Sequence, residues 1–309
     1  MELTSPTATV EETEALAEAA AELPHIWKSQ PLSDPLESLS LLQKSLFFAE
    51  LSDIAYYTND VVVKLAELIG MPRVRYFESD GSQAYLFSNE CDAVIVFRGT
   101  EADDWNDIKA DLNALSAVAE TVGRVHRGFK QEVDDLWPQL EEELVNNAKT
   151  LWMTGHSLGG AMATICAGRC KLSHIESEPA GLFTYGSPRV GNKRYVNYYK
   201  LDHYRWVNNN DIVTRTPPPW FGYRHTGKLM YFNARGNLKR LNGWALTADR
   251  WRGTFRGLLK LRLDPLTDHL QTAYIDQINE LVEAEKEGED VLAKADPLLK
   301  RVIHRVKSR

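Results

Sequence analysis

The sequence Gly-His-Ser-Leu-Gly-Gly at residues 155–160 lies one residue after an apolar run, Leu-Trp-Met at 151–153. The run is typical of a short buried strand, and residues 161–167 continue as a helix. A strand, Gly-x-Ser-x-Gly and a helix form a nucleophile elbow, in which the serine occupies a sharp, strained turn. The flanking glycines remove Cβ atoms that would collide. The sequence therefore predicts that Ser157 is a nucleophile; a surface serine in a glycine-rich turn is the alternative.

A serine hydroxyl needs a histidine to accept its proton and a carboxylate to orient that histidine. On a turn of this kind, the acid and then the histidine follow the serine along the chain. The leading acid is Asp211, after the strand predicted at 204–207, with an Asx turn or a helix cap as the alternative. The leading base is His269, before the helix predicted at 273–282; a helix-cap histidine is the alternative. The weaker candidates are Asp264, Asp268 and His225.

Negative charge that develops on a substrate oxygen requires hydrogen-bond donors aimed at it. One donor is the backbone N–H of Leu158, directly after the serine. The other is expected on a loop after an earlier strand. The sequence Phe-Arg-Gly-Thr at 97–100 ends the most apolar strand in the chain, and Thr100 offers both its N–H and its hydroxyl.

Strands that alternate with helices predict an α/β fold with a mostly parallel central sheet and helices on both faces. Three regions are predicted: a flexible acidic N-terminal tail over 1–30, one domain over 31–285, and a basic helical tail over 286–309. The predicted helices are 36–57, 61–69, 126–147 and 193–200; the predicted strands are 74–77, 84–87, 93–97, 182–185, 204–207 and 229–232.

Composition excludes several functional classes. The 309 residues are 43% hydrophobic and 26% charged, which is typical of a globular protein. A net charge of −7 argues against a nucleic-acid-binding role. No apolar run approaches the roughly 18 residues that span a bilayer, and the N-terminus lacks the pattern of a signal peptide. Three scattered cysteines favour a reducing compartment, so a cytoplasmic or peripheral membrane location is expected.

Several short sequences in a fixed order, over about residues 40–285, carry a resemblance to a known family. They are Phe97–Thr100, Asp104-Trp105, Asp111-Leu112, His126–Phe129, Gly155–Gly160, Tyr185–Asn192, Asn210–Val213, Tyr223–His225 and Asp268-His269. Together they resemble the class 3 lipases, a group with the α/β-hydrolase fold. The resemblance implies Ser157, Asp211 and His269 as the catalytic triad, and Thr100 and Leu158 as oxyanion donors. It also implies a lid at about 101–122 that includes Trp105.

The resemblance implies a serine carboxylester hydrolase that cleaves acylglycerols through an acyl-enzyme. No cofactor or metal is expected, and the substrate is a lipid or another ester. Phospholipase A1, monoacylglycerol lipase or short-chain esterase activity would use the same triad. A non-catalytic lipid-binding or scaffold protein on this fold is the alternative from another class.

Basic and aromatic residues alternate before His269, a composition typical of contact with a lipid surface. The candidates are Arg250, Trp251, Arg252, Phe255 and Arg256. An amphipathic segment packed on the domain is the alternative interpretation. The basic stretch 298–307 is a second candidate for contact with a membrane or a lipid droplet. The sequence assigns no oligomeric state.

Overall fold

The computed structural model describes residues 2–3, 27–99, 116–119, 122–172, 177–198, 200–209, 211–233, 235–239 and 269–295. Its α-helices are α1 Leu41–Ile54, α2 Asn59–Leu68, α3 Arg127–Val145, α4 Leu158–Leu172, α5 Lys193–Tyr198, α6 Gln271–Lys286 and α7 Val291–Ala295. Its strands are β1 Glu2–Leu3, β2 Arg73–Ser79, β3 Ser82–Ser88, β4 Asp92–Phe97, β5 Ser116–Val118, β6 Arg124–His126, β7 Thr150–His156, β8 Pro179–Tyr185, β9 Gly191–Asn192, β10 His203–Asn208, β11 Tyr223–Arg224, β12 Lys228–Phe232 and β13 Leu238–Lys239.

A nine-stranded sheet forms the centre of the protein, in the order β1-β2-β3-β4-β7-β8-β10-β12-β13. The five strands from β4 to β12 are parallel, and antiparallel strands flank them at both edges. Connections between parallel strands cross over the sheet, so the carboxyl ends of these five strands meet at one edge. The loops that follow β7, β8 and β10 therefore lie close together.

Both faces of this sheet are covered, as the alternation of side chains along β4 shows. Val94 and Val96 pack in an apolar cluster with α1 and α6, whereas Ile95 and Phe97 pack in a second cluster with α3 and α4. A strand buried on both faces is apolar along its whole length, which is the pattern that Ala93–Phe97 shows. The predicted fold class is confirmed. No helix in the described ranges is long and apolar enough to cross a bilayer.

The N-terminal boundary of α1 differs from the predicted helix at 36–57. Ser40 caps α1: its side chain accepts a hydrogen bond from the Gln43 N–H, and the Gln43 side chain accepts one from the Ser40 N–H. The extended backbone that Ser40 needs for this cap separates α1 from a short 3-10 turn at Leu36–Ser38.

The two predicted tails lie largely outside the described residues, so this division of the chain stays a prediction. Within the N-terminal tail, Glu2–Leu3 is a short strand that pairs with β2. Without this pairing, backbone N–H and C=O groups of β2 would be unpaired at the edge of the sheet. Within the C-terminal one, α6 continues to Lys286 and α7 follows at Val291–Ala295.

A second, four-stranded sheet in the order β11-β9-β6-β5 was not predicted. Strands of two or three residues are too short to show an alternating pattern. His126, which was predicted to begin a helix, belongs to β6, and its N–H donates to the Val190 carbonyl at 2.8 Å. The helix therefore starts at Arg127. We refer to β11, β9, β6 and β5 as the small sheet.

Glu50 is a buried carboxyl in α1 that holds the segment before it. The backbone N–H groups of Lys28 and Ser29 both donate to its carboxylate. Burial raises the pKa of Glu50 to about 7, against the opposing effect of these hydrogen bonds. Between pH 4.5 and about 7, the folded protein binds a proton at Glu50 that the unfolded chain has released. The free energy of unfolding therefore falls as pH rises across this window.

We expect Glu50→Gln to raise the melting temperature more at pH 8 than at pH 5. The amide cannot ionise, and it keeps an oxygen that accepts the backbone hydrogen bonds. The cost that it removes at pH 8 is at most about 3 kcal/mol. Thermal unfolding at the two pH values measures the difference, with Glu67→Gln on the exposed side of α2 as the control. A Glu50→Gln effect that is equal at both pH values would contradict the assignment.

Candidate active site

Ser157 lies at the turn between β7 and α4, with a backbone φ of +54°. A positive φ costs a residue with a side chain about 1–2 kcal/mol. A Cβ atom on Gly155 would lie 2.4 Å from the Gly159 carbonyl carbon, and one on Gly159 would lie 2.1 Å from the Phe97 carbonyl oxygen. The turn therefore requires both glycines, for different reasons. A side chain at Gly155 would collide with the backbone of Gly159, and a side chain at Gly159 would collide with the end of β4.

The structure brings Ser157, Asp211 and His269 together at the carboxyl ends of the parallel strands. The distance from Nε2 of His269 to Oγ of Ser157 is 2.8 Å, and that from Nδ1 to Oδ2 of Asp211 is 3.0 Å. A carboxylate only accepts, so Nδ1 carries the proton and Nε2 accepts from the serine hydroxyl. All three side chains are buried. This arrangement is able to remove the proton from Ser157 when its oxygen attacks an electrophile.

Asp211 is held by donors besides His269. The Val213 N–H donates to Oδ1 at 2.9 Å, and the hydroxyl of Tyr274 donates to Oδ2 at 2.6 Å. Tyr274 in turn accepts from the Asn208 N–H at 3.0 Å, so its hydroxyl is fixed between α6 and the end of β10. A fixed carboxylate fixes the ring of His269 that is bonded to it.

Gly186 allows the acid and the histidine to come together. It has a φ of +61°, and a Cβ atom there would lie 2.9 Å from both Oδ2 of Asp211 and Nδ1 of His269. Tyr274 and Gly186 were not assigned these roles from the sequence. Nothing in the sequence distinguishes Tyr274 from any other tyrosine on the buried side of a helix. Gly186 directly follows the strand predicted at 182–185. A glycine at the carboxyl end of a parallel strand is the signal that could have pointed to its role.

His156 supports His269 from the other side. Its Nε2 donates to the His269 carbonyl at 2.7 Å, and the two rings lie 4.5 Å apart. Burial, followed by the charge of a protonated His269, lowers the pKa of His156 well below its ordinary value. His156 is therefore neutral, and its Nδ1 faces the Tyr56 hydroxyl at 3.5 Å. The structure thus places His156, the residue before the nucleophile in the elbow, against His269.

Leu158 is the first residue of α4, where backbone N–H groups have no partner within the helix. Its N–H is therefore free of intrahelical hydrogen bonding next to Ser157, and its role as an oxyanion donor stays a prediction. The loop after β4 also reaches the elbow, because a Cβ atom on Gly99 would lie 2.8 Å from the His156 carbonyl oxygen. Thr100 itself lies outside the described residues.

Other predicted residues are placed elsewhere or lie outside the described ranges. His225, the rival base, bonds through Nε2 to the Thr214 carbonyl at 2.8 Å and so supports the loop after β10. The residues outside the described ranges are Trp105, Arg250, Trp251, Arg252, Phe255, Arg256, Asp264 and Asp268. Their predicted roles stay predictions.

Comparison with known proteins relates this part of the chain to a family. The family described as Lipase (class 3) matches residues 94–221, which include Ser157 and Asp211. The chain is 40% identical over 111 residues to the secreted mono- and diacylglycerol lipase 1 of Fusarium solani, a match that covers 33% of this chain and 32% of that protein. It is 39% identical over 117 residues to the toxin TseL of Vibrio cholerae, covering 37% and 18%.

Solved structures agree on the fold. Lipase II from Rhizopus niveus matches with a TM-score of 0.51 and 26% sequence identity, over 62% of this chain and 80% of that one. The matched segments span less than half the length of the two curated relatives, whereas the structural match spans most of the fungal enzyme. The family model, the relatives and the fold therefore agree that residues 94–221 are similar to the class 3 lipases, in a chain with the α/β-hydrolase fold.

Proposed function

We propose that this protein is a serine carboxylester hydrolase, a lipase that cleaves acylglycerol esters through an acyl-enzyme. The single observation that carries the proposal is His269, whose two ring nitrogens join Ser157 and Asp211 at 2.8 and 3.0 Å. The name of the Fusarium solani relative, a mono- and diacylglycerol lipase, supports acylglycerols as the substrate class. The triad could hydrolyse any ester that reaches Ser157, so the preferred ester is determined by the substrate assays below.

The reaction follows from the two hydrogen bonds of His269. Its Nε2 accepts the Ser157 proton as Oγ forms a bond to the ester carbonyl carbon. The imidazolium that results is stabilised by Asp211, and it protonates the departing alcohol. Water then repeats the sequence on the acyl-enzyme: it loses a proton to His269, attacks the acyl carbon and releases the fatty acid and Ser157.

The oxyanion that forms in each half of the reaction needs a donor at the turn. We propose the N–H of Leu158, the first residue of α4, as one donor; a donor of this kind contributes about 3–4 kcal/mol to the transition state. Thr100 is proposed as the second donor, on the resemblance alone. The proposal also includes contact with a membrane or lipid-droplet surface, since the substrate stays in one.

The proposal is tested by the hydrolysis of p-nitrophenyl esters of increasing chain length, emulsified triacylglycerol and phospholipid. We expect Ser157→Ala to lower kcat/KM by at least about 10⁴-fold, because the nucleophile is lost. Ser45→Ala is the control, since the Ser45 hydroxyl donates to the Leu41 carbonyl of the same helix at 2.8 Å. Equal activity in the wild type and Ser157→Ala would refute the site.

The substrate series also separates the alternatives. Hydrolysis confined to phospholipid would favour a phospholipase A1, and hydrolysis confined to short esters would favour an esterase. A wild-type protein that hydrolyses none of them would favour the scaffold alternative.

We expect Tyr274→Phe to lower kcat by about 10- to 100-fold with little change in KM. The change removes the hydrogen bond to the Asp211 carboxylate, worth about 1.5–3 kcal/mol, and the one that Tyr274 accepts from the Asn208 N–H. The groups that face the substrate are left intact. Tyr85→Phe is the matched control, since its buried hydroxyl bonds to Oδ1 of Asn59 at 2.6 Å, away from the triad. Steady-state kinetics and melting temperatures are measured for both variants. If kcat falls by the same factor in both variants, Tyr274 has a structural role only.

A further inference from the structure

Two adjacent aromatic side chains stand out from the surface near the end of β10. Trp220 is 79% exposed and Phe221 is 60% exposed, and their rings lie 6.4 Å apart. They belong to the short 3-10 helix Pro219–Phe221, which we call the aromatic tip. Exposing two large apolar side chains together is unfavourable in water, so such a pair marks a site of contact.

The aromatic tip is held in a fixed position. The guanidinium of Arg224 donates to the carbonyl oxygens of Pro219 and Tyr223, both at 2.7 Å. Arg189, which follows β8, donates to the Pro217 carbonyl at 3.0 Å. Hydrogen bonds on both sides of the aromatic tip therefore fix the backbone that holds the two aromatic side chains in their exposed positions.

The aromatic tip lies at the same edge of the central sheet as Ser157. The loop that carries it begins at Asp211, whose carboxylate bonds to His269, and Arg189 ties it to the carboxyl end of β8. The small sheet attaches to this edge too, through the hydrogen bond from the His126 N–H to Val190. A surface that contacts the aromatic tip therefore meets the protein at the edge of the sheet that carries the candidate active site.

The surroundings of the aromatic tip are basic, although the whole chain has a net charge of −7. Across the described residues of 116–119, 122–127, 189–198 and 215–225 there is no Asp or Glu. We call the basic residues in these ranges the basic collar: Arg124, Arg127, Arg189, Lys193, Arg194, Arg215 and Arg224. The collar would therefore be attracted to a negatively charged surface that repels the rest of the protein.

We propose that the aromatic tip and the basic collar bind the surface of an anionic phospholipid membrane and turn the active-site edge toward it. Trp and Phe are favoured at the boundary between headgroups and acyl chains, and basic residues are attracted to anionic headgroups. Val118 of β5, 66% exposed, adds apolar area on the small sheet. The inference rests on the proposed function, because a lipase must meet its substrate at a lipid surface.

The test compares two variants that change the net charge equally. The first neutralises three exposed basic residues of the collar, as Arg127→Gln, Lys193→Gln and Arg194→Gln. The control neutralises three exposed basic residues at the opposite edge of the sheet, as Arg73→Gln, Lys171→Gln and Lys228→Gln. Each of these three pairs with a carboxylate near the amino ends of the parallel strands. A third variant, Trp220→Ala with Phe221→Ala, removes the aromatic tip.

Binding is measured by sedimentation with vesicles of phosphatidylserine and phosphatidylcholine in equal parts, at low and high salt. Each basic residue near an anionic surface contributes about fivefold to affinity, so the collar variant should bind about 100-fold more weakly. The wild type should dissociate at high salt, since exposed charges are screened. The control should bind as the wild type does, and the aromatic-tip variant should bind more weakly at both salt concentrations.

A soluble short-chain ester separates this proposal from the proposed function. All three variants should hydrolyse it at the wild-type rate, and circular dichroism checks that each is folded. Ester hydrolysis without vesicle binding, or equal loss of binding in the collar variant and the control, would overturn the proposed membrane-binding surface and leave the lipase proposal intact.

Vesicle binding that depends on the collar, by a protein that hydrolyses no ester, would support the membrane-binding surface and overturn the lipase proposal. Tighter binding to a single-stranded oligonucleotide, competing with vesicles, would assign the collar to nucleic acid instead.

Discussion

The left-handed backbone of Ser157 has to be maintained by its surroundings, because a residue with a side chain does not adopt it without cost. Its N–H donates to the Tyr185 carbonyl at 2.9 Å, and its carbonyl accepts from the Gly160 N–H at 3.1 Å. The first bond ties the turn to β8 and the second starts α4. The turn also packs closely against the end of β4, which leaves no room for a side chain on Gly159. The hydroxyl is directed by packing between three elements.

The remaining groups of the site reach Ser157 from distant parts of the chain because parallel strands collect their carboxyl ends at one edge. Asp211 comes from the loop after β10 and His269 from the entry to α6. Tyr274, one turn into α6, bonds back to the Asp211 carboxylate, so the helix that carries the base also fixes the acid. The positions of these side chains are therefore set by helix packing on the sheet as much as by the loops that carry them.

Much of the site could be predicted from the sequence, for identifiable reasons. Ser157 is marked by local sterics, since Gly155 and Gly159 stand where neighbouring backbone leaves no room for a Cβ atom. Asp211 and His269 are limited by chain order, which follows from the topology of the fold. Tyr274 and Gly186 could not be assigned in this way, because their roles depend on distances between segments that are far apart in sequence. Long helices such as α3 and α6 were predicted within a few residues, since each shows several turns of apolar periodicity.

The small sheet could not be predicted from the sequence. Its strands of two or three residues show no periodicity, and its surface charge becomes visible only when separate segments are brought together. Arg124 and Arg224 are a hundred residues apart, yet β9 lies between their strands in one sheet. The composition of the whole chain, which is acidic, hides this local excess of positive charge.

The proposed chemistry depends most on Ser157 as the nucleophile beside the Leu158 N–H. A crystal structure of the protein after reaction with an alkyl phosphonate tests this directly. We expect phosphorus bonded to Oγ of Ser157, a phosphonyl oxygen within about 3.1 Å of the Leu158 nitrogen, and His269 still bonded to Asp211. Phosphorus on another residue, or a phosphonyl oxygen turned away from the start of α4, would contradict the account.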